Sequence, residues 1–405
     1  MQDILIQPNA RARQRISSTA STSDFAQLAA TNARRFHETI PGYQRTPLHT
    51  LPALGGHLNL QALWLKDESQ RFGLNAFKGL GASYAVARLL AKRLELDQED
   101  LSFGQLTTPA ARAELKEIVF ASATAGNHGR GLAWMAQQLG CRCVIYLPAG
   151  ATPSRVANLE NHDAEVTVTD VDYDDSVRLI SEQANDNGWL LVQDTAWEGY
   201  EEIPRAIMQG YLTMISEAFD QLQGQVPTHV LIQLGVGSFA AALQGYLVER
   251  FGDERPKVIA VEAAAAAKGC LSIEAGGDDP IVLDESAETV LVTIACCEMS
   301  PLGWPILRDH TDYLCAAPDW VGAHGVRLLS NPIDDDPRIV AGATGAVTAG
   351  LVVALCDPEV ATPELDSVGL TAESRVLVFL TEGATDPVAY RKAVWHGGWP
   401  TASSG

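Results

Sequence analysis

Basic charge is scarce in this sequence: 29 Lys and Arg stand against 50 Asp and Glu in 405 residues, a net charge of −21. A chain of that balance does not follow nucleic-acid phosphates or anionic lipid with a general basic field, and a small-molecule enzyme fits it better. Cysteine is sparse and odd in number at seven, which excludes the disulfide lattice of a small secreted domain. No stretch approaches the ~20 uninterrupted apolar residues of a membrane-spanning helix. The first thirty residues carry Arg11, Arg13 and Arg15 with several serines but lack the apolar centre of a secretory signal, so they are expected to form a solvated arm, with a transit peptide as the alternative. A cytoplasmic location is the resulting expectation. What the chain does have is 46% apolar residues, with 34 Gly and 20 Pro spread without period, the composition of a compact fold of two domains or one large one.

From about residue 117 onward, short β-branched runs followed by glycine alternate with alanine-rich helical stretches. That order predicts parallel sheets with helices on their faces. The strands are expected at Ile118–Ala121, Cys143–Leu147, Val166–Val168, Leu190–Gln193, His229–Leu234, Val258–Val261 and Val376–Leu380. Leu80, Tyr84, Ala87 and Ala91 fall on one stripe at helical spacing, which puts Lys78 at a helix start. Residues 94–117 read as a surface excursion, and Asp334–Asp336 between prolines as a solvated turn rather than a metal site.

Four stretches carry candidate chemistry. LKDESQRFGLNAFKGLGASYA (65–85) holds Lys78 beside Phe77 and small glycines, where desolvation could prepare a lysine for Schiff-base formation; alone, it is also what a solvated surface lysine looks like. SATAGNHGRG (122–131) lies between a strand and a helix, where unpaired backbone N–H groups suit a carboxylate or phosphate, or where Asn127 and His128 simply cap the turn. LIQLGVGSFAAAL (231–243) closes a strand with Gly235, Val236, Gly237 and Ser238. It lacks the lysine of a nucleoside-triphosphate loop and the spacing of a dinucleotide fingerprint, which leaves a single phosphate on a small cofactor, or close helix–sheet packing. VLVFLTEGATD (376–386) is a strand ending in a hydroxyl and a glycine turn. His128 has no second ligand at metal-site spacing, so no catalytic metal is expected.

In this order, the NAFKGLGA lysine motif, the GNHG loop, the glycine-rich loop and the late strand ending in Thr resemble the fold-type II pyridoxal-phosphate enzymes, the tryptophan synthase β-like superfamily. The strings KDESQRFGLNAFK, NHGRGLAWMAQQLG, VQDTAWEGY, PTHVLIQLGVG, SPLGWPILR, NPIDDDPRI and TEGATD are similar to the diaminopropionate ammonia-lyase family, from about Arg35 to Trp395. The resemblance implies pyridoxal 5′-phosphate in a cleft between two three-layer α/β domains, a larger one from 1–79 and 196–405 and a smaller one inserted at 80–195, assembled as a homodimer. It implies that Lys78 bears the cofactor with Phe77 beside the ring, that Asn127 bonds the ring's 3′-oxygen, and that Gly235–Ser238 holds the phosphate. Thr381 would face the pyridine nitrogen, where a neutral hydroxyl favours β-elimination. Ser122, Thr124 and the amides around Ala125 would receive the substrate carboxylate, and Asp194 would handle the leaving ammonium. Cys270, Cys296 and Cys297 fall in one region of the family pattern, where a disulfide or reduced core thiols would both fit.

One departure bears on the chemistry. The family loop reads TDGNHG, and its aspartate is thought to act as a base toward the D-isomer; here the position is Ala125. A methyl group takes no proton. The resemblance therefore implies elimination of L-2,3-diaminopropionate to pyruvate and ammonia with L-selectivity. The alternatives are another β-substituted amino acid, a β-replacement reaction, or a non-catalytic paralogue that has kept the fold.

Overall fold

The computed structural model describes residues 3–12, 20–124, 126–284, 287–360 and 362–400. Its strands, in chain order, are β1 (Leu5–Pro8), β2 (Leu48–Thr50), β3 (Ala62–Asp67), β4 (Val119–Ala123), β5 (Arg142–Leu147), β6 (Glu165–Val168), β7 (Leu190–Leu191), β8 (His229–Gln233), β9 (Lys257–Ala263), β10 (Tyr313–Ala317) and β11 (Arg375–Leu380). They form two sheets. The larger runs β1-β10-β9-β8-β11-β3-β2, parallel through its five central strands and closed by an antiparallel strand at each edge. The smaller, β6-β5-β4-β7, is parallel throughout. Strands β4 and β8 are buried at every residue, as continuous apolar runs covered by helices on both faces should be.

Topology fixes where a ligand can sit. In an open parallel sheet the crevice forms beyond the carboxyl ends of strands whose onward connections diverge. In the larger sheet that point lies between β8 and β11; in the smaller, between β4 and β7. The segments leaving these four strands carry Gly235–Ser238, Thr381, Thr124–Asn127 and Asp194. Helix Gly79–Arg93 brings the remaining element, with Lys78 at its N-cap. Helix Asn127–Leu139 crosses it so closely that a Cβ at Gly131 would stand 2.8 Å from the Cα of Gly79, and only glycine allows that approach.

Three expectations change. Leu5–Pro8 is not solvated arm: it pairs antiparallel with β10 and buries Ile6, and helix Gln27–Glu38 begins within the first thirty residues. Residues 94–117 are not wholly surface, since short helices Phe103–Leu106 and Pro109–Leu115 bury Phe103, Leu106 and Leu115. Leu190–Gln193 shrinks to two paired residues, because after a last N–H bond from Val192 to the Ala121 carbonyl the chain leaves the sheet at Gln193, whose N–H donates to the Tyr200 hydroxyl. Among the described residues no helix is long and apolar enough to cross a membrane.

Candidate active site

Phe77, Lys78, Thr124, Asn127, Asp194, the loop Gly235–Ser238 and Thr381 line a single cavity between the two sheets. Segments more than 300 residues apart in sequence meet there. The lysine loop is laced to the chain leaving β11: the Phe77 N–H donates to the Thr381 carbonyl at 3.1 Å and the Gly383 N–H to that of Asn75 at 3.0 Å. Phe77 packs its ring 4.8 Å from both Tyr211 and Phe239, an apolar wall beside the lysine.

The Lys78 ammonium donates to Asp194 Oδ2 at 2.5 Å. Burial works against the ammonium, but the Asp194 charge outweighs it and holds the lysine above its ordinary pKa. Burial would push Asp194 up; Lys78 and the neighbouring His128 instead bring it down to about 2, so the carboxylate stays ionised. The Tyr173 hydroxyl donates to its other oxygen at 3.2 Å. His128 donates from Nε2 to the Val192 carbonyl at 2.7 Å, and burial lowers its pKa.

Opposite the lysine, helix Ser238–Phe251 opens on Gly237 at φ +98°, a conformation that favours glycine. Its first-turn N–H groups have no partner within the helix and stand at the cavity wall. The Ser238 hydroxyl donates to the Asp194 backbone carbonyl at 2.7 Å, so the glycine loop and the carboxylate share one scaffold. A helix terminus with free donors, a lysine across an apolar wall and an asparagine between them form a donor set that fits a phosphorylated aromatic aldehyde.

Not every expected residue reaches the cavity. Ser122 is fully buried in β4, and its hydroxyl donates to Gln193 Oε1 at 2.9 Å, so a contact with substrate carboxylate is corrected. Thr124 does line the cavity, where its Oγ1 accepts from the Gly126 N–H at 2.9 Å. Ala125 lies outside the described residues. Cys270 and Cys296 are free thiols, so that pairing is not made. No group of three or more His, Cys, Asp or Glu able to hold a metal occurs among the described residues. Sequence reasoning missed Tyr173 and Glu382, and singled out Cys296 only for a disulfide or a core thiol, whereas it lines the cavity. Glu382 sat in a motif already singled out, and its acidity next to Thr381 was the signal; Tyr173 lies in a stretch with none.

Residues 39–369 match the family model described as pyridoxal-phosphate dependent enzyme. The diaminopropionate ammonia-lyase of Salmonella typhimurium is 44% identical over 368 residues, covering 89% of this chain and 91% of that protein. The chain belongs to the diaminopropionate ammonia-lyase family of pyridoxal-phosphate dependent enzymes. Its counterpart in Escherichia coli strain K12 is 44% identical over 375 residues, 92% of this chain and 93% of that one. Among solved structures, the holo form of the Escherichia coli enzyme superposes with a TM-score of 0.89 at 42% identity over 98% of this chain and 97% of that one. The same enzyme in complex with D-serine gives 0.89 at 42% identity, over 98% of each chain. Pyridoxal 5′-phosphate is thus the cofactor of this enzyme, and the fold-type II resemblance holds over nearly the whole chain.

Proposed function

We propose that the enzyme converts L-2,3-diaminopropionate and water to pyruvate and two ammonia, and that it selects the L-isomer. The observation that carries this reading is the Lys78–Asp194 pair, a lysine ammonium and a carboxylate 2.5 Å apart in the cofactor cavity. Once bound, pyridoxal 5′-phosphate supplies the electron sink for charge left at the substrate Cα. Lys78 is the residue that bears the cofactor and then takes the Cα proton on its own face, and Asp194 holds the ammonium so formed. The same carboxylate orients the substrate's β-ammonium as it departs, with Tyr173 keeping Oδ1 occupied and Oδ2 turned to the reacting side. Gly235–Ser238 and the helix behind it receive the phosphate, Thr381 faces the pyridine nitrogen, Asn127 the ring oxygen, and Thr124 with its adjoining amides the substrate carboxylate.

Selection for the L-isomer follows from Ala125, whose methyl group takes no proton from the opposite face. A cytoplasmic homodimer with domains at 1–79 plus 196–405 and 80–195 belongs to the same reading. Pyruvate release from cofactor-loaded protein, with L- and D-2,3-diaminopropionate side by side, tests it: rapid L-turnover and little D-turnover are expected. Ala125→Asp should then add D-turnover while leaving L-turnover in place; an inert D-isomer with that variant sinks the stereochemical account. If neither isomer reacts while the visible band of the bound cofactor is intact, the second reading takes over, which Ala125 already favours: a different β-substituted amino acid.

A further inference from the structure

Asn127 is held from both sides. Its side-chain Nδ2 donates to Glu382 Oε2, and its Oδ1 accepts from Arg130 Nη2 at 2.9 Å. Both partners are buried, Glu382 at 5% and Arg130 at 8% exposure, and Glu382 has other fixed contacts. Glu382 Oε1 accepts from the Thr293 hydroxyl at 3.4 Å. The Glu382 backbone sits against helix Ala343–Cys356 so tightly that a Cβ at Gly345 would fall 2.2 Å from its carbonyl oxygen, and the Gly342 N–H donates to that same oxygen at 3.2 Å. Arg130 lies one helical turn beyond Asn127 on the same helix.

These contacts settle which way the amide faces. A side-chain amide ordinarily has two orientations of similar shape. Here a flip would set the NH₂ group against the Arg130 guanidinium, which has donors and no acceptor whatever the protonation of Glu382, whose carboxyl burial holds above its ordinary pKa. One orientation survives, with Oδ1 consumed by Arg130 and one of the two N–H bonds of Nδ2 consumed by Glu382. The second N–H has no other acceptor among the described residues, and Asn127 lines the cofactor cavity.

We infer that Glu382 and Arg130 are positioning residues that lock the Asn127 amide so that it presents an N–H, never its carbonyl, to the ring oxygen of the cofactor. The inference rests on the placement of Asn127 at that oxygen. It also gives the cleft a tie: Glu382 follows β11 of the larger sheet, Asn127 and Arg130 follow β4 of the smaller one, and the contact crosses between them. An ordered donor of this kind stabilises negative charge on the ring oxygen, which makes the linkage to Lys78 give up its proton at lower pH.

The test follows the visible absorbance band of the cofactor-loaded enzyme through a pH titration, with cofactor affinity measured by equilibrium dialysis. Asn127→Ala should move the transition upward by about one pH unit. Glu382→Ala and Arg130→Met should each move it in the same direction by a smaller amount and weaken cofactor retention. Glu382→Gln, whose amide oxygen still accepts from Nδ2, should restore most of the wild-type behaviour. Combining Glu382→Ala with Asn127→Ala should add nothing to Asn127→Ala alone, because both act through one hydrogen bond. Additive shifts, or a transition unmoved by both Glu382→Ala and Arg130→Met while Asn127→Ala displaces it, overturn the inference. If Glu382→Ala does not fold, Arg130→Met decides on its own, since it releases the other end of the same amide. A transition that Asn127→Ala leaves in place removes the Asn127 assignment itself, a separate failure.

Discussion

Two buried charge clusters come from one stretch of chain, and they are built on opposite plans. The first, on β3 and the turn after it, pairs Lys66 and Arg71 with Glu68 and Glu217, all four side chains fully buried. Lys66 spends its three protons on the Thr46 carbonyl, Glu217 and Gln221 at 2.8–2.9 Å. Arg71 donates to both carboxylates and to the Gln44 carbonyl. The second cluster is Lys78 with Asp194, only seven residues beyond Arg71, with the lysine side chain 22% exposed to the cavity and a single acceptor on its ammonium. Charge in the first is cancelled and saturated. Charge in the second is left with unused valence facing a space for ligand, and that surplus separates a reactive pair from a structural one.

Variants can break this contrast. Lys78→Ala should abolish pyruvate release, by about 10³-fold or more, and remove the visible band, while lowering stability to denaturant by less than Glu217→Ala does. Glu217→Ala should do the reverse. It leaves Lys66 and Arg71 with Glu68 as their one remaining carboxylate and so a buried positive charge without a counterion, with an expected cost of about 3–5 kcal/mol in urea unfolding, whereas any folded fraction should retain its cofactor and turnover. A stable Glu217→Ala protein, or a Lys78→Ala protein that unfolds as early, would erase the distinction. Asp194→Asn should fall between them: cofactor bound, turnover lower by about 10²–10³-fold, and stability lowered by less than in Glu217→Ala.

The same contrast explains what could be read from the sequence. The central strands β4, β5, β8, β9 and β11 announce themselves as apolar runs because helices cover both their faces. Strand β3 did not, since its last two residues, Lys66 and Asp67, are charged yet almost wholly buried, and partners at Thr46, Glu217 and Gln221 for the one and His49 and Ser69 for the other make that tolerable. Strand β1 was read as solvent because its partner β10 lies some 300 residues on. At the site, Lys78, Asn127, Asp194 and the glycine loop were legible where local pattern and motif order coincide. Tyr173 was not, and Glu382 showed only its place in a quoted motif, for each acquires its role from a contact made across the fold, Glu382 with Asn127 and Tyr173 with Asp194.

Acid sharpens the comparison further, at smaller amplitude. Glu217 is brought from 4.5 to about 2; burial alone would raise it, and Arg71 and Lys66 outweigh burial. Asp194 is brought from 3.8 to about 2 by Lys78 and His128 against the same opposition. A carboxylate depressed on folding contributes stability that is fully present above its unfolded pKa and is lost as pH falls through its folded one. Both clusters should therefore lose stability between about pH 5 and pH 2. They should differ in what the cofactor does to that loss. Lys78 is the chief partner of Asp194, and its charge and reach change when the cofactor takes it up; the partners of Glu217 are sealed from the cavity. Urea unfolding across this window, for wild type, Asp194→Asn and Glu217→Gln, should show a pH-dependent difference for Glu217→Gln that is the same with and without cofactor. The difference for Asp194→Asn should change on loading, and identical curves in the two states would mean that Asp194 answers to its fixed neighbours rather than to the reactive lysine.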